Sequence, residues 1–73
     1  MAKNVKISYD EIEDIFYLGI NGKTKFSIDL ALPLGDIIVD VGFDGKVNGI
    51  EIFNASKVLG EKISGKSDKF LAV

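Results

Sequence analysis

Apolar and polar residues alternate along this chain far more often than they recur at helical spacing. Val5, Ile7 and Tyr9 alternate with Asn4, Lys6 and Ser8, the period of two that marks a half-buried strand. Asp10-Glu11-Ile12-Glu13-Asp14 then sets four carboxylates in five residues. That is too polar and too short for an amphipathic helix, so a loop or a single helical turn is predicted. Ile15 to Ile20 is apolar on both sides and rich in strand formers, which predicts a second strand that is central in its sheet or covered on both faces. Asn21-Gly22 marks a turn. From Thr24 onward, Phe26, Ile28, Leu30 and Leu32 alternate with Lys25, Ser27, Asp29 and Ala31, a third strand with one wet face. The turn residues Pro33-Leu34-Gly35 close it.

The chain is organised around the next stretch, Asp36 to Ser56, where two alternating runs flank Asp44-Gly45. That dipeptide tolerates the positive φ of a tight turn and is a strong hairpin signal. A loop of two or four residues puts Ile37, Val39 and Val41 on the same face as Ile50 and Ile52. A three-residue loop without a compensating bulge puts Glu51 there instead. Burial therefore favours the even loop, with Asp44-Gly45 as its two residues. The other face then carries Asp40 opposite Gly49 and diagonal to Glu51, beside Gly42 and Gly49, which as exposed glycines would let a cation or another chain approach the backbone. Asn54 is the expected N-cap of a short helix over Ala55–Leu59 that Gly60 ends, or that runs on to Ile63, with Lys57 and Lys62 near its negative end. Ser64 to Asp68 reads as a polar loop, and Phe70 to Val73 as an apolar tail that docks on the sheet or frays. The expected fold is α+β: a mainly antiparallel sheet of about five strands in meander order with one short C-terminal helix, in one domain over residues 1–73.

Composition narrows the chemistry. Of 73 residues, 47% are apolar, and the mean hydropathy is +0.22. This is high for so small a soluble chain, and it points to a surface covered by a second copy or by another protein, a homodimer being the simplest case. There is no His, Cys or Trp, and all nine basic residues are Lys. Nucleophiles of the Ser-His or Cys-His kind and zinc sites of ordinary type drop out. So does bidentate arginine recognition of phosphate or guanine, and a net charge of −2 with pI near 4.9 opposes nucleic acid. No apolar run approaches the roughly 20 residues of a membrane span, and the first residues lack a signal-like apolar region. A cytoplasmic protein without membrane or nucleic-acid partners is the expectation.

Several short runs together resemble a small prokaryotic family, domain-of-unknown-function family 2283. They are Ile7-Ser8-Tyr9-Asp10, the acidic loop leading into Phe16-Tyr17-Leu18, Ile37-Ile38-Val39-Asp40, Asp44-Gly45, Gly49-Ile50-Glu51-Ile52 and Ala55-Ser56. The resemblance covers roughly residues 5 to 58, the expected core, and leaves the tail from residue 60 to 73 outside. Phe53-Asn54 stands where a Leu-Asp-like pair is more usual. The resemblance implies a small β-rich domain and no assigned activity.

Two runs look like chemistry. Gly60-Glu61-Lys62-Ile63-Ser64-Gly65-Lys66-Ser67 matches the phosphate-loop pattern G-x-x-x-x-G-K-[ST] at every fixed position. Such a loop needs a strand before it and a helix after it. Here a short helix precedes it and six residues follow, so ATP binding is not expected. Counting Asp40 as the first position of a calcium loop places Asp44, Gly45, Asn48 and Glu51 correctly, but Gly42 fails at position three and the flanks alternate like strands. A weaker possibility is a calcium-type ion held by the acidic loop Asp10, Glu11, Glu13 and Asp14, or by the diagonal pair Asp40 and Glu51. The simpler reading is that these residues solubilise and cap turns, Asp10 capping a helical turn through Glu13. About 70 residues do not easily wall the desolvated cleft that paired-carboxylate hydrolysis needs, and aromatics at strand spacing serve cores and interfaces. The sequence therefore predicts no enzyme and no required cofactor, but a binding or assembly module that self-associates, with weak divalent-cation binding as the alternative.

Overall fold

The computed structural model describes residues 4–60 and 71–72. Six strands and one helix follow in order: β1 (Asn4–Asp10), β2 (Ile15–Ile20), β3 (Thr24–Leu32), β4 (Gly35–Gly42), β5 (Val47–Phe53), α1 (Ala55–Leu59) and the two-residue β6 (Leu71–Ala72). The five strands read from alternation are all present, in an α+β arrangement that is mostly sheet. Residues 61–67 of the phosphate-loop pattern, Phe70 and Val73 lie outside the described residues.

The strands are not in meander order. They run β3-β4-β5-β2-β1-β6, every pairing antiparallel. β2 leaves its chain neighbour β3 and pairs with β5, so the hairpin β1–β2 joins the three-strand meander β3–β5 at its β5 edge. This gives β2, apolar on both sides, a central place as its composition demands. The link from β2 to β3 therefore crosses β5 and β4. It does so over Gly42, where a side chain would come within 3.4 Å of the Lys23 carbonyl oxygen and of Asn48 Nδ2. Thr24 Oγ1 donates to Asn48 Oδ1 at 3.3 Å and holds the crossing in place.

The β4–β5 register is the expected one through Ile37↔Ile52, Val39↔Ile50 and Asp40↔Gly49. The loop that makes it is different. Gly45 N–H donates to the Gly42 carbonyl at 3.0 Å and Gly42 N–H to the Lys46 carbonyl at 2.8 Å, so the loop is the three residues Phe43-Asp44-Gly45, with Gly45 at φ 82. The register then shifts by one between Asp40 and Val41. This bulge cancels the odd loop and keeps Glu51 off the apolar face.

Tracing the registers across the sheet puts the apolar alternate residues of all five long strands on one side: Val5 and Ile7, Phe16 and Leu18, Ile50 and Ile52, Ile37 and Val39, Ile28 and Leu30. The opposite side carries Lys6, Ser8, Glu51, Asp40, Ser27 and Asp29. α1 borders the apolar side at the end where β4 begins. Gly35 makes room for it, since a Cβ there would run into the Phe53 carbonyl oxygen and meet Val58 Cγ2 at 2.8 Å. The helix ends at Leu59 rather than running on, because Gly60 turns left-handed at φ 70 and its N–H returns to the Lys57 and Ser56 carbonyls.

Candidate functional site

An apolar sheet face ordinarily buries its side chains against a second layer. Here the second layer among the described residues is a five-residue helix at one end. The only buried apolar residues described are Val5, Ile52 and Ala55, and no large side chain is fully buried. β3 is the most open element: Phe26, Ile28, Leu30 and Leu32 are 49, 45, 47 and 40% exposed. Alternation predicted one wet face for this strand, but both of its faces meet solvent, because β3 lies at the sheet edge away from the helix.

One polar cluster ties the helix to the sheet. Asp14, at φ 56, accepts from Tyr9 Oη at 2.6 Å, from Ser56 Oγ at 2.7 Å and from the Ser56 N–H at 3.0 Å, while its carbonyl accepts the Ala55 N–H at 2.9 Å. Asp14 thus caps α1 from 42 residues upstream. Asn54, the expected cap, is itself left-handed at φ 56 and makes no side-chain cap bond. Its side chain donates instead to the Leu34 carbonyl at 3.3 Å. The donated bonds from Tyr9 and then Ser56 hold the Asp14 carboxyl below its ordinary range, and the same bond to Asp14 pushes the Tyr9 phenol up to about 12. No local pattern in the sequence could have disclosed this pairing.

The acidic residues singled out as cation ligands are spread over separate tasks. Asp10 Oδ1 accepts the N–H groups of Ile12 and Glu13, both at 3.0 Å, which is the turn-capping reading of that loop. Glu11 and Glu13 lie exposed in the same turn. Asp40 accepts from Ser27 Oγ at 2.6 Å. Glu51 sits across from Ile38 and Tyr17, on the same side as Asp40. Among the described residues, no group of three acidic side chains comes together to hold a metal ion. Gly42 and Gly49 are buried, not exposed. The crossing link covers the first, and the Asp40 carboxylate lies over the second, where a Cβ would meet Oδ2 at 2.8 Å.

A hollow of about 300 Å³ opens between the β4–β5 loop and the crossing link, bordered by Ile20, Lys23, Phe43 and Asn48. Asp44 and Lys46 line it as well. No helix among the described residues is long and apolar enough to cross a membrane. The family model described as Protein of unknown function (DUF2283) matches residues 6–56, more than half of the chain. No curated protein and no solved structure matches.

Proposed function

This chain belongs to the DUF2283 family, whose description assigns it no activity, and on that premise we propose that it is a non-catalytic assembly module that self-associates through its sheet. One observation carries the reading: a whole side of a five-strand surface is apolar, and among the described residues a helix of five residues covers only one end of it. Exposed apolar surface on this scale costs about 25 cal/mol for each Å² left in water, and patches of this kind mark protein interfaces. The polar groups favour the same reading. The perturbed Tyr9 and Asp14 are engaged with each other and with Ser56 in fastening the helix. The divalent-cation alternative gains no comparable observation, because Asp10, Asp14 and Asp40 each hold hydrogen bonds within the fold.

Sedimentation equilibrium at micromolar concentration tests the proposal. A mass of at least twice 7.9 kDa is expected, and a mass that stays at the monomer value as concentration rises overturns it.

A further inference from the structure

Self-association leaves two surfaces to choose between, the apolar face and the open edge of β3. We propose that the occupant is a second copy stacked face to face on the apolar side, with β3 and β4 at the centre of the contact, and that the β3 edge stays unpaired. This rests on the assembly reading above and specifies its interface.

The exposure of the face points to its β3 half. Apolar side chains there are 40 to 49% exposed, against 8% for Val5 and 9% for Ile52 on the same face. The chemistry of the face points to a copy of itself. Its alternate positions carry no charged side chain, and its one hydroxyl, on Tyr9, is already bonded to Asp14. A partner surface must be equally free of charge, and a two-fold axis supplies one, since an isologous contact sets the same patch against itself. The area suffices. Five strands at about 4.8 Å and about seven residues at roughly 3.3 Å make a plane on the order of 550 Å² before side-chain relief is counted. A standard stable interface buries about 800 Å² of accessible surface per partner, so two such faces stacked as a sandwich make a contact at the small end of that range.

The edge is built against pairing. Between Thr24 and Phe26 the β3–β4 register shifts, leaving Lys25 as the extra residue of a bulge, and Pro33 follows the other end of the strand. Bulges, lysines and prolines are the devices by which edge strands avoid other chains. The turn between Leu32 and Gly35 has two residues, which directs the backbone of Leu32, Leu30 and Ile28 towards β4 and that of Ala31, Asp29 and Ser27 outward. Three outward residues between a bulge and a proline offer a short ladder.

Amide exchange read residue by residue, on wild-type protein at a concentration where sedimentation gives a dimer, separates the two surfaces. The N–H groups of Ser27, Asp29 and Ala31 are expected to exchange as freely as solvent-facing amides. Ile28→Glu and Val39→Glu, with far-ultraviolet circular dichroism unchanged, are expected to weaken the dimer at least about tenfold, whereas Asp29→Pro on the outward edge leaves it intact. Protection of those three amides, or dissociation by Asp29→Pro with Ile28→Glu still dimeric, overturns the face-to-face proposal while leaving self-association standing. A wild-type chain that is monomeric throughout overturns both.

Discussion

Asp14 joins two distant parts of the chain, and its charge makes that junction depend on pH. Its folded pKa lies below the ordinary carboxylate value of 3.8 because Tyr9 and Ser56 donate to it. The stabilisation is therefore fully present above 3.8 and is lost as pH falls through the lowered value. Tyr9 runs the other way: its neutral form is favoured in the fold, so its contribution is present below pH 10 and disappears as pH rises towards about 12. Thermal melts across both windows should show these two declines, and Tyr9→Phe should abolish the alkaline one while moving the acid one upward towards 3.8. Asp14→Asn, which keeps the size but loses the charge, should lower the melting temperature at neutral pH and flatten its acid dependence. The sequence showed an acidic turn here and nothing of its role, because the Ser56 partner is 42 residues away and capping is ordinarily read from adjacent residues.

The elements were more legible than their junctions. β2, β3 and α1 begin and end where alternation, Pro33 and Gly60 place them, since these signals act within a few residues. The β4–β5 loop departs from the even length because Asp44-Gly45 also suits a three-residue loop, in which Asp44 Oδ1 accepts the Lys46 N–H at 3.0 Å and Gly45 takes the positive φ. Burial still chose the faces, through the bulge. Glycine substitutions measured by chemical denaturation should separate these constraints. Gly45→Ala is expected to cost about 1 kcal/mol from its backbone conformation alone. Gly35→Ala should cost more, about 1–3 kcal/mol, since its Cβ would be driven against the Phe53 carbonyl oxygen. Gly19→Ala meets the Tyr17 ring, a side chain able to turn away, and should cost less than Gly35→Ala.

For the whole molecule, the decisive feature is a sheet that, among the described residues, carries one thin layer over part of one face. If two copies close over that face, the contact holds no ion pair to screen, so the dimer constant should be nearly unchanged between low and moderate sodium chloride and should tighten in sulfate. Sedimentation velocity across that series checks it, and weakening with sodium chloride would point to a charged contact. By itself the sequence determined the five long strands, the short helix, the two-faced character of the sheet and the want of His, Cys and Arg chemistry, because periodicity and composition are local or additive properties. Tertiary structure alone decided that β2 sits against β5, that Gly42 and Gly49 are filled in, that Asp14 caps a helix far downstream and that β3 is left open. Each of these depends on which strands become neighbours, and a period of two is the same whichever neighbour a strand takes.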